Sequence, residues 1–181
     1  DGLYNKKKLK LNRVIDEIIS DFDSIPVNMQ NKKPRVGIVG EILVKFHPGA
    51  NNDIIRVIEK EGGEAVMPGL LDFLLYCFYN TNFKHEKLGF KASTAALCNM
   101  GIWFLEKTRG YMKKALLANP KFADRAPVDI AQIADGAKNV LQLGNVTGEG
   151  WFLTGEMIEL IESGVPNIVC VQPFACLPNH V

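Results

Sequence analysis

Cysteine is scarce in this chain. There are four, at 77, 98, 170 and 176, widely spaced and with no Cys-x-x-Cys pair. That excludes a disulfide framework, and no second Cys or His stands at a ligand spacing to build a zinc site. Net charge is also nearly absent, at +1, so no broad field attracts nucleic acid or a membrane surface. The one basic cluster, Lys6, Lys7, Lys8 and Lys10, reads as a solvated face ahead of a helix. No apolar run approaches the length of a membrane span. The opening "DGLYNKKKLK" has no apolar core after its charges, so it does not read as a secretion signal. Its first residue is not Met, which suggests a cut or processed end. A cytoplasmic location with reduced thiols is the expectation. Internal repeats and low-complexity tracts are lacking too.

What is present is the makeup of a globular domain: 47% hydrophobic and 23% charged residues over 181 positions. "LKLNRVIDEIISDFDSIP" puts Leu11, Val14, Ile15, Ile18, Ile19 and Phe22 on one helical stripe, ended by Pro26. A polar linker follows, so residues 1–33 read as an N-terminal helix and linker, and 34–181 as the main domain. "PRVGIVGEILVKF" reads as a buried strand and turn. "HPGANNDIIRVIEKEGG" reads as a helix capped by Asn51 or Asn52, with Gly62 in the left-handed position after it. "EAVMPG" is a short second strand, and the unit argues for parallel pairing with a right-handed crossover.

"LLDFLLYCFYN" is apolar nearly all round and reads as a buried helix. "KASTAALCNMGIWFLEKTRGYMKKALLAN", interrupted by Gly101 and Gly110, reads as two helices or an inserted hairpin. Pro127 opens the next helix, "VDIAQIADGAKNVLQL". "GEGWFLTGEMIELIESG" is another helix, and "NIVCVQ" a third strand. The fold class expected is α/β: an open, mostly parallel sheet flanked by helices, of the Rossmann or flavodoxin kind, with a helical insert. With three strands visible the sheet reads as an incomplete domain, truncated at its C-terminus.

In such sheets ligands bind beyond the carboxyl ends of the strands. "GEILVKFHPGANN", "PGLLD" and "QPFACLPNH" all lead off that edge. "GIVGE" is not the Gly-x-Gly-x-x-Gly of a dinucleotide site. Glu41, His47 and Asn51, with Lys45 and Asn52, form a possible pocket lining or, equally, turn and capping residues. Cys170 alternates into a strand expected to be buried on both faces and reads as core. Cys77 and Cys98 read as packing residues. Cys176 lies past the strand end, between Pro173 and Pro178, where a helix N-terminus would favour the thiolate. Asn179 and His180 follow within bonding range of a cluster or substrate. The pattern leaves three roles open for Cys176: a buried structural residue, a metal or cluster ligand, and a reactive thiol paired with His180.

The segments "RVGIVGEILVKFHPGANNDIIRVIEKEGGEAVMPGLLDFLLYC" and "GEGWFLTGEMIELIESGVPNIVCVQPFACLPNHV" resemble the 2-hydroxyacyl-CoA dehydratase and benzoyl-CoA reductase-like family. The nearest branch is the activase-related one of anaerobic bacteria, labelled CoA-substrate-specific enzyme activase. The resemblance runs from Pro34 to Val181, and "QPFACLPNHV" is its most specific motif. It implies a cubane (4Fe-4S) iron–sulfur cluster held by cysteines on loops after the strands. It also implies an activase-like ATPase domain, in the same or another chain, that feeds in a low-potential electron, and possible homo-oligomers; nucleic acid and membrane are not implied. Cys176 matches the family's cysteine after the last strand. Where the dehydratases often place another, after the strand equivalent to "EAVMP", this chain reads Gly69, Leu70, Leu71, Asp72, with Cys77 further along as the substitute. The parent protein would be a reductase- or dehydratase-type component, with this fragment inactive by itself. The competing reading is a non-catalytic α/β interaction domain.

Overall fold

The structure, a computed structural model, is described for residues 11–28 and 30–176. Two compact units divide the chain. One holds the residues through Asn31 together with Leu105–Pro127; the other holds Lys32–Phe104 and the residues from Val128 onward.

In the first unit, α1 (Leu11–Asp23) faces the C-terminal part of α5 (Ala92–Ala118). The Tyr111 hydroxyl donates to the Asp16 carboxylate at 2.7 Å, and the Lys121 ammonium donates to the Ile25 carbonyl at 3.0 Å. A 3₁₀ turn, Ala123–Arg125, follows α5. The segment 92–118, expected to break into two helices or a hairpin, is one continuous helix of 27 residues. Each glycine within it costs only about 1 kcal/mol relative to alanine, which twenty-seven residues of helix absorb.

The second unit is α/β. Its sheet has three strands in the order β2-β1-β3, all parallel: β1 (Arg35–Gly40), β2 (Glu64–Val66) and β3 (Asn167–Val171). β1 is central because its β-branched run tolerates burial on both faces; Ile38 and Val39 are fully buried. Between β1 and β2 lie α2 (Ile42–Phe46) and α3 (Ile54–Lys60), and Gly62 closes α3 with φ of 88°. α4 (Leu70–Leu88), α5, α6 (Ile130–Lys138) and α7 (Gly150–Glu162) separate β2 from β3. α6 starts later than Pro127 suggested, with Asp129 at its N-cap and the Asp129 amide donating to the Gln132 side chain.

α7 packs Leu153 and Leu160 against Val39 and Val165, with Val66, Met157 and Ile168 around them. An aromatic block joins α4 to α7. Tyr76 stacks on Phe152 at 5.1 Å and meets Trp151 edge-on at 5.0 Å. The indole of Trp151 donates to Asn80 at 2.7 Å, and the Tyr76 hydroxyl to the Gly148 carbonyl at 2.8 Å. Both polar tips are therefore satisfied inside an apolar block.

Two burial expectations fail here. Cys170 is exposed, because β3 pairs only with β1 and is an edge strand among the described residues. α4 is not buried all round: Leu70 and Leu74 are about half exposed, at 53% and 49%. No described helix is long and apolar enough to cross a membrane.

Candidate functional site

β1 and β3 end together at the carboxyl edge. Gly40 pairs with Val171, and the Glu41 amide donates to the Val171 carbonyl at 3.0 Å. The two chain exits, one into α2 and one toward Cys176, are thus tied by backbone.

On the α2 side, the expected pocket residues serve the backbone. Glu41 is the N-cap of α2, its carboxylate accepting from the Val44 amide at 2.8 Å. The His47 ring nitrogen Nδ1 accepts from the Ala50 amide at 3.2 Å. The Asn51 amide group donates to the Val44 and Lys45 carbonyls, and its oxygen accepts from the Ile54 amide. Asn51 thereby joins the end of α2 to the start of α3, although the N-cap residue of α3 is Asp53 and not Asn51 or Asn52.

On the β3 side the chain turns at once. The Cys176 amide donates to the Pro173 carbonyl at 3.2 Å, closing a four-residue turn. Ala175, third in the turn, has φ of 61°, a left-handed position that favours glycine. Phe174 is fully exposed at the tip, and Gln172, Pro173, Phe174 and Ala175 line an open cavity. Cys176 is half-buried with a free thiol. Asn179 and His180, the other residues expected here, lie outside the described residues.

Cys77 sits seven residues into α4, about 10 Å along the helix axis from its first residue. It is exposed, and burial of part of the thiol pushes its pKa up, away from the thiolate. Among the described residues, no three His, Cys, Asp or Glu side chains converge as a metal-holding group.

Sequence reasoning missed the buried charges behind α2. Lys45 is the one fully buried residue of α2, and its ammonium meets the Glu156 carboxylate at 2.7 Å. Glu149, also buried, accepts from the Ile42 amide at 2.9 Å. Two acids of the α7 region, seven residues apart and so on one side of a helix, therefore hold α2 at both ends. Asp72 of α4 is buried and acts electrostatically on Glu156. A signal existed for Glu156: it falls at the apolar phase of α7, four residues from both Phe152 and Leu160.

Burial raises the Glu156 carboxyl from 4.5 to about 7; Lys45 opposes this, and Asp72 and Glu159 add to it. The folded state therefore binds this proton more tightly than the unfolded chain does. The stability linked to Glu156 is full below the unfolded value of 4.5, falls as pH rises, and levels off above about 7. Urea midpoints are expected to drop across that window, and Glu156→Gln is expected to flatten the drop. Parallel pH profiles for the two proteins would refute the assignment.

No family model, curated protein or solved structure matches this chain.

Proposed function

We propose that this chain is the dehydratase-like part of a cytoplasmic iron–sulfur protein that handles low-potential electrons. Cys176 is the thiolate ligand that it offers, at the carboxyl edge of a Rossmann-like sheet. The observation that carries this reading is the placement of Cys176: last residue of a closed four-residue turn on the segment that leaves β3, at the edge where open α/β sheets present ligands. The resemblance of "QPFACLPNHV" to the cluster-binding motif adds the chemistry. A thiolate there would supply soft-donor ligation, and the turn would fix its direction.

The described residues do not make a complete ligand set. Cubane clusters are held by about four cysteine thiolates, and no such group converges among the described residues. Cys176 accordingly supplies one corner, with the other ligands from outside the described residues. Cys77 is the weaker donor, because its raised pKa keeps it a thiol. The partner is an activase-like ATPase domain, in the same or another chain.

The test is anaerobic reconstitution in the presence of that partner, with iron and sulfide counted in wild type and Cys176→Ser. Iron bound by the wild type and lost from the variant is expected. Equal iron in both, or none in either, would overturn the proposal.

A further inference from the structure

α2 is docked by charge more than by apolar contact. It has five residues, and Lys45 is its one buried residue. Leu43 stands outward at 65% exposure, and Ile42, Val44 and Phe46 are half-buried. A helix this short has no stability of its own, because nucleation costs more than so few bonds return. Two buried acids of the α7 region hold it. Glu149 accepts from the Ile42 amide at 2.9 Å, and Glu156 takes the Lys45 ammonium at 2.7 Å. Before α2 the ladder of the sheet ends at Gly40, and after it residues 47–50 form an exposed turn. The Asn51 bonds to the Val44 and Lys45 carbonyls stay within this same segment.

The charges at that seat do not balance. Facing Glu156 are Lys45 from α2, Asp72 from α4, and Glu159 on α7 itself. Arg35 of β1 acts on Glu159, one turn further along. On α6, Asp135 and Lys138 pair with each other at 2.6 Å, and Asp129 caps its own helix. Three carboxyls are thus buried in this region, at Asp72, Glu149 and Glu156, against the Lys45 ammonium. A proton on Glu156 lowers the excess of negative charge and spares the cost of one desolvated carboxylate.

We propose that α2 is a strap that lifts from α7 as a unit, with the Lys45–Glu156 pair as its proton-controlled latch. In the closed strap the Glu156 carboxyl is cut off from water; in the open strap it and Lys45 are solvated. Burial raises the closed carboxyl to about 7, against its ordinary 4.5. The closed strap therefore binds the proton more tightly than the open one. Opening is hardest below pH 4.5, becomes easier as pH rises, and levels off above about 7. The segment begins at Glu41, whose amide bond to the Val171 carbonyl ties it to the exit of β3. The device thus acts at the carboxyl edge, and it does not rest on a cluster at Cys176.

Native-state hydrogen exchange of the 181-residue chain in a low-urea series tests it. The Ile42, Lys45 and His47 amides are compared with those of β1. Once lifted, so short a helix unravels, and its own amides report the opening. They are expected to open with a urea slope well below that of β1, because little surface is exposed. Between pH 5 and 8 their protection, with the intrinsic rate divided out, is expected to fall about 50- to 100-fold. Glu156→Gln is expected to hold it nearly constant. A urea slope equal to that of β1 would mean that α2 opens only when the whole unit unfolds, and would overturn the proposal. So would parallel pH profiles for wild type and variant. Should Glu156→Gln fail to fold, the urea slope of the wild type decides alone.

Discussion

Glu156→Leu is expected to destabilise the protein by about 3 kcal/mol at pH above 7, the lower end of what breaking a buried pair costs. The Lys45 ammonium and the Glu156 carboxylate are 2.7 Å apart, with side-chain exposures of 2% and 3%. Leucine in place of the carboxylate leaves a buried cation. That cation keeps a cation–π contact with Phe46, at 5.4 Å from the ring centroid. That residual partner places the loss at the lower end of the range. Lys45→Met is expected to cost less, because Glu156 can take up a proton; its folded-state value already stands at about 7. The double variant Lys45→Met/Glu156→Leu removes both desolvated charges and is expected within about 1 kcal/mol of wild type. Urea unfolding of the four proteins gives the coupling energy directly. Four equal midpoints would mean that the pair is not closed in solution.

Gly40→Ala is expected to cost at least about 3 kcal/mol. Gly40 has φ of 139°, a backbone conformation open essentially to glycine alone. A Cβ there would also overlap the backbone of Val171, 1.8 Å from its carbonyl oxygen. Neither strand can yield cheaply, because Gly40 and Val171 are register partners and the Glu41 amide bonds to that same carbonyl. The damage falls where the two exits of the carboxyl edge are tied. Hydrogen exchange should therefore rise first at Glu41 and in the turn before Cys176. An alanine variant with wild-type exchange at both places would disprove the tie.

These two variants mark what could and could not be read in advance. The strand–helix–strand unit was legible, since β-branched runs bounded by glycine and proline specify strands locally. So was the end of β3, because Pro173 forbids further pairing there. The bond from the Ile54 amide to Asn51 was legible as turn chemistry, because the reach of that side chain is a few residues, but the N-cap of α3 fell on Asp53. The continuity of α5 was not, because two glycines weaken a helix without ending it. The exposure of Cys170 was not, because a period-two pattern is the same in a central strand and an edge strand.

By itself, then, the sequence determined the three strands, the parallel pairing of the first two, and the arrival of Cys176 beyond a strand end; it did not show α2, whose residues 42–46 read as strand and turn. Each depends on backbone preferences acting over a few residues. Only the tertiary structure decided that Lys45 and Glu156, 111 residues apart, share one buried site. It alone decided that Leu70 and Leu74 of α4 stand half exposed. Those outcomes depend on which surfaces meet, and burial, which makes a charge costly or a leucine exposed, is a property of the meeting and not of any local pattern.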